Sequence, residues 1–121
     1  MRSNHPKIQL SDKFLHESTI SRILSTLLCQ LSQHYQERLD RVILFGSYAR
    51  GEATSDSDID ILVILEEPVD ATVELKQTSE LVAELCLEHH VLISRLFLSR
   101  SRYETERSPL LNNIRREGVL L

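Results

Sequence analysis

The sequence predicts an α/β (α+β) domain in which a small mixed β-sheet is flanked by helices. Two stretches, residues 17–38 and 71–88, carry apolar side chains at three- and four-residue steps, the period of a helix with one buried stripe. Three short β-branched apolar runs, 41–45, 59–65 and 90–98, are bounded by turn residues and read as strands. Their interleaving along the chain is that of a sheet covered by helices.

The first helix rests on Ile20, Ile23, Leu24, Leu27, Leu28, Leu31 and Tyr35, with His16 and His34 flanking that stripe as surface or boundary residues. Strand 41–45 stops at the Gly46-Ser47 turn. Strand 59–65 is closed by Pro68, and Asp70 can cap the next helix, whose stripe is Val73, Gln77, Leu81, Val82 and Leu85. Strand 90–98 follows. Ser101 and Glu104 have the spacing of a capping box and predict a short helix beginning there. Ser108-Pro109 is a cap before a first-turn proline, and Gly118 supplies the stop of a last helix over 109–117. The expected order is α-β-β-α-β-α-α around three strands or slightly more, in one domain over residues 1–121. Val119, Leu120 and Leu121 either close this core or pack on a partner.

With 41% hydrophobic and 26% charged residues, three glycines and three prolines, the composition is that of a globular protein. A net charge of −4 argues against non-specific coating of nucleic acid, and no stable DNA binding is expected. Arg95, Arg100, Arg102, Arg107, Arg115 and Arg116 gather in the last quarter, either as a surface for a triphosphate, an RNA or an acidic partner, or as a solvated face of charge pairs. Cys29 and Cys86 lie in helical patterns without metal-type spacing and are expected to be buried reduced thiols. No apolar run is long enough for a membrane span, and the start of the chain lacks a signal-peptide core, so a cytoplasmic location is expected.

The chemistry is concentrated in residues 44–63. A Gly-Ser pair leaves one strand, and Asp58-x-Asp60 opens the next. Side chains alternate along a strand, so Asp58, Asp60 and Leu62 share a face while Ile59, Ile61 and Val63 take the other. Two converging carboxylates repel unless a cation lies between them, and hard oxygen ligands suit Mg²⁺ or Mn²⁺. Gly46 lets backbone approach a ligand closely, and Ser47 adds a hydroxyl and an amide for phosphate oxygens. A triphosphate bridging cradle and metal would have its pyrophosphate neutralised and its α-phosphorus open to a hydroxyl. A plain turn beside solvated acids is the competing reading. At ordinary residue frequencies this Gly-Ser and Asp-x-Asp spacing arises by chance in on the order of one such chain in a thousand.

Gly46-Ser47-Tyr48-Ala49-Arg50-Gly51, followed by Ser55-Asp56-Ser57-Asp58-Ile59-Asp60, resembles the signature of the minimal nucleotidyltransferases (MNT), the small branch of the DNA polymerase beta superfamily. The resemblance implies the polymerase beta-like nucleotidyltransferase fold, with Gly46 and Ser47 on the triphosphate and Asp58 and Asp60 as catalytic metal ligands. The implied reaction transfers a nucleoside monophosphate, usually AMP from ATP, to a hydroxyl. Arg50 is read evenly as a phosphate or partner contact and as a partner of Glu52 or Asp56, and Tyr48 as a packing residue before a base-stacking one. The segment 108–118 also resembles MNT proteins that form toxin–antitoxin pairs with HEPN-domain proteins, in which the antitoxin adenylylates a tyrosine of the HEPN ribonuclease.

The superfamily pattern brings a third acid from the strand beside Asp-x-Asp. Strand 90–98 offers His90, Ser94 and Arg95 instead, and the nearest carboxylate is Glu88. At most one of His89 and His90 can face the metal, since neighbours on a strand point oppositely. Three functions follow: an adenylyltransferase antitoxin, a weak or inactive antitoxin that neutralises its partner by binding, and a nucleotidyltransferase acting on RNA or a small molecule, which the short chain disfavours. The sequence leaves the acceptor, the preferred triphosphate and homo-oligomers open.

Overall fold

The computed structural model describes residues 18–121, and the readings of His16 and of the helix start at residue 17 lie outside them. Helix α1 (Ser18–Tyr35) ends in a 3₁₀ turn (Gln36–Arg38) and leads into β1 (Leu39–Phe45). A four-residue helix α2 (Ser47–Arg50) stands where the sequence reads as a turn, and Gly51, left-handed at φ 75°, terminates it. The chain continues through β2 (Ile59–Leu65), α3 (Ala71–His89), β3 (Ile93–Ser99), α4 (Arg100–Thr105), α5 (Pro109–Glu117) and β4 (Val119–Leu120).

The sheet has four strands in the order β3-β2-β1-β4. β1 pairs antiparallel with β2 and β4, whereas β2 and β3 run parallel, joined by α3 as their crossover. β4 was legible only as apolar residues. It pairs Leu120 with Ile43, Leu121 donates its amide to the Val42 carbonyl at 2.9 Å, and the Leu121 side chain closes the core.

One sheet face carries Val42, Leu44, Ile59, Ile61, Val63, Leu65, Ile93 and Phe97 beneath α1 and α3. The opposite face carries Ile43, Leu62 and Ile64 beneath Tyr103 of α4 and Leu111 and Ile114 of α5. Helices on both faces explain why β2 is apolar on both after Asp60. Within the first layer, Glu74 is buried yet satisfied: the Tyr35 hydroxyl donates to it at 2.9 Å, and Arg38 pairs with it at 3.4 Å.

Several expectations are corrected. α4 is capped by Ser99, whose hydroxyl accepts from the Arg102 amide at 3.2 Å. Ser101 instead donates to Glu67, and Glu104 pairs with Arg100. Cys29 is exposed, because it falls off the Leu24–Leu28–Leu31 stripe of α1, and Cys86 is half-buried. β3 starts at Ile93, not residue 90, because α3 runs on through His89, and His90 turns left-handed (φ 57°) to end it. The C-terminal arginines are largely engaged. Arg100 pairs with Glu66 and Glu104, Arg102 with Glu106, Arg95 donates to the Leu75 carbonyl, and Arg115 to those of Tyr103 and Glu106. α5 agrees with its expected span, capped by Ser108 and stopped at Gly118, although Gly118 has φ −68° and serves close approach instead. A Cβ there would lie 2.6 Å from both the Ile114 carbonyl oxygen and Ile43 Cγ2. Among the described residues, no helix is long and apolar enough to cross a membrane.

Candidate active site

β1 ends at Phe45, which lies in register with Asp60 near the start of β2. The chain must then turn sharply, and Gly46 does so at φ 78°, ψ −156°, a conformation closed to residues with a Cβ. Its carbonyl accepts the amides of Ala49 and Arg50 at 3.1 and 3.2 Å, starting α2 and leaving Ser47 as its first residue. The bare Cα of Gly46 faces the Asp60 carboxylate. A Cβ there would overlap that side chain and sit 3.2 Å from its Cγ. Glycine is therefore required twice, by the backbone angle and by the carboxylate.

Asp60 is half-buried on the α4/α5 face and Asp58, one residue before the strand, is exposed. Burial raises the Asp60 carboxyl above the ordinary aspartate range, the charge of Asp58 raises it further, and Arg50 acts in the opposite direction. Asp58 therefore acts on Asp60 through its charge, although it precedes β2 and lies outside the alternation of that strand. Thr54 accepts the Ser57 amide at 3.0 Å and donates its own amide to the Ser57 hydroxyl at 2.9 Å, which shapes the loop that delivers Asp58.

Arg50 stands exposed at the end of α2. Its Nε donates to Glu52 at 3.0 Å and its Nη1 lies 3.7 Å from Glu117. The Glu52 hydrogen bond raises its pKa further, so it carries a full positive charge. Both pairs are exposed and individually weak, so they leave Arg50 able to exchange partners. Tyr48 packs against the main core.

Across β2 from Phe45, the β3 residue in register with Asp60 is Ser94, which is exposed. Among the described residues, no group of three or more His, Cys, Asp or Glu is arranged to hold a metal. Two carboxylates are nevertheless a fitting donor set for Mg²⁺, which is commonly held by one or two carboxylates, substrate phosphates and water. His90 does not lie on the strand. With Asp58 it lines a cleft of about 410 Å³ between the 55–58 loop and the turn from α3 to β3. Sequence reasoning missed Leu87 and Leu92 in the wall of this cleft, although Leu87 stands outside the Val82–Leu85 stripe.

Residues 22–119 match the nucleotidyltransferase domain family, a span that includes every residue of this site. The chain belongs to that family. A nucleotidyltransferase relative from Methanocaldococcus jannaschii, named "Putative protein adenylyltransferase MJ0604", is 33% identical over 75% of this chain and 86% of its own. A solved structure described as a minimal nucleotidyltransferase is 28% identical, with a TM-score of 0.55 over 93% of this chain and 99% of its own. A chain from the complex of tri-AMPylated Shewanella oneidensis HEPN toxin with MNT antitoxin shares the fold at 19% identity, with a TM-score of 0.51 over 82% and 69%. This nucleotidyltransferase therefore has the fold expected of the family.

Proposed function

We propose that this nucleotidyltransferase moves AMP from ATP to a hydroxyl, that of a tyrosine on a HEPN-domain partner in the cytoplasm, and so acts as the antitoxin of a pair. The observation that carries the transfer is the bare Gly46 backbone facing Asp60, with Asp58 one residue before the same strand. In this reading Gly46 and Ser47 receive the β- and γ-phosphates, and Arg50 leaves Glu52 to neutralise them. Asp58 and Asp60 would hold Mg²⁺, which would supply charge neutralisation for the α-phosphate and the leaving pyrophosphate. The acceptor oxygen bonds to the α-phosphorus, the α–β bridging P–O bond breaks, pyrophosphate leaves with its electron pair, and the hydroxyl proton passes to solvent water. The similarity to the MNT antitoxin complex supports the choice of partner.

Ser94 in the place beside Asp60 favours a second reading, a binding antitoxin, because the chain offers no carboxylate there to accept the hydroxyl proton. Incubation with Mg²⁺, ATP labelled at the α-phosphate and host extract, beside Asp58→Asn and Asp60→Asn, separates the two. A labelled protein with the unaltered chain only supports transfer. No label on any protein, RNA or small molecule, with the partner present, leaves the binding antitoxin.

A further inference from the structure

The sheet order sets the direction from which an acceptor must arrive. Phe45, Asp60 and Ser94 are register partners on β1, β2 and β3, so Gly46, Asp60 and Ser94 stand in one row at the strand ends, about 4.8 Å from strand to strand. Pyrophosphate held at Gly46 and Ser47 occupies one side of Asp60. In-line displacement keeps the attacking and leaving oxygens on opposite sides of phosphorus, so the hydroxyl approaches from the β3 side. There the protein presents the cleft of about 410 Å³ that includes Asp58 and His90.

Its walls are unusual for a cleft that reaches Asp58. Leu87 is 77% exposed and Leu92 65%, the highest values for large apolar side chains among the described residues, and both line this cleft. A lone exposed leucine is ordinary, but two converging beside Asp58 form an apolar grip. Asp56 and Asp58 make the opposite wall acidic, and Glu88 follows Leu87 on α3. With Asp58 engaged by the metal, Asp56 leaves this wall acidic and complements a basic residue of a polypeptide.

We infer that this cleft docks the acceptor segment of a partner protein, with Leu87 and Leu92 holding an apolar side chain beside the acceptor hydroxyl and Asp56 pairing with a basic residue of the same segment. The inference rests on the transfer reading for its direction, and its test separates the two.

The experiment compares the unaltered chain, a Leu87→Ser/Leu92→Ser variant and Leu120→Ser, an exposed leucine on β4 at the opposite sheet edge. The HEPN-domain protein of the same genome is the probe. Its affinity is measured by surface-bound titration and its labelling from α-labelled ATP in parallel, with a non-hydrolysable ATP analogue reporting the nucleotide site. The double variant is expected to bind the probe about tenfold or more weakly and to label it correspondingly slowly, with Leu120→Ser and analogue binding unchanged. Transfer by the unaltered chain with no effect of the double variant, or an equal effect of Leu120→Ser, overturns the docking site and leaves the function standing. Binding that depends on Leu87 and Leu92 without any transfer keeps the docking site and removes the function. Label on RNA, or no affinity of the unaltered chain for the probe, overturns the inference.

Discussion

Replacing Gly46 by alanine tests the joint demand of backbone and carboxylate. At φ 78°, ψ −156°, the alanine Cβ brings strain of about 1–3 kcal/mol, which for a domain of this size lowers the melting temperature by roughly 4–8 °C per kcal/mol. The same Cβ overlaps the Asp60 carboxylate, whose Cγ would lie 3.2 Å away, so the side chain must turn from its place. Gly46→Ala is therefore expected to lose both stability and Mg²⁺-dependent affinity for an ATP analogue. The two causes are separated by repeating the substitution in an Asp60→Ala background, where the overlapping atoms are gone and only the backbone term remains. Urea unfolding of the four proteins should give a cost smaller by about 0.5–1 kcal/mol in that background. A Gly46→Ala protein within about 0.5 kcal/mol of the parent, with unaltered analogue affinity, would falsify the account of this turn.

Ser94→Asp places a third carboxylate beside Asp60, and is expected to raise Mg²⁺ affinity and to speed transfer on the order of tenfold or more; an unchanged rate in single-turnover labelling would show that Ser94 lies away from the reacting hydroxyl. Tyr35→Phe removes the 2.9 Å hydrogen bond to buried Glu74 and should cost about 1–3 kcal/mol in urea unfolding, whereas a neutral result would mean that Arg38 alone satisfies Glu74. Burial and the Glu74 contact hold the Tyr35 hydroxyl above the ordinary tyrosine range. A raised acid stabilises the fold below its unfolded pKa of about 10 and loses that contribution as pH climbs past it. Absorbance at alkaline pH should accordingly show one of the three tyrosines ionising only with unfolding, and its free titration near the ordinary value would contradict the burial.

The parts legible in the sequence are those with local causes. β2 and α5 stand at their expected spans, because an apolar run after Asp60 and a Ser-Pro cap are complete signals in themselves. Gly46, Asp58 and Asp60 could be singled out by their spacing, a Gly-Ser pair leaving one strand and an Asp-x-Asp pair opening the next. What escaped depends on distant partners. β4 is two residues long and exists only through β1, and Glu74 looks like a solvated helix acid until Tyr35 and Arg38 arrive from α1 and its following turn. Ser99 outcompeted Ser101 as the α4 cap because β3 ran one residue further than its apolar pattern, bringing Ser99 to the helix start. His90 failed as a strand residue because α3 needed a left-handed terminator, and that displacement put it on the cleft wall with Asp58.

Asp60 is the one residue of β2 that is not buried, in a strand whose other six positions are inside. Its carboxyl is disfavoured as a charge by burial and by Asp58, and only Arg50 offsets them. A fold selected for stability alone has no reason to keep it. Asp60→Asn preserves the shape and removes the repulsion, so the metal-free protein should gain stability, by about 0.5–1 kcal/mol given the remaining exposure, while losing transfer. Unfolding in chelator measures the first and α-label incorporation the second. Stability that falls instead would mean that the carboxylate is held by the fold for structural reasons, and that the strain at Gly46 serves the strand rather than a ligand.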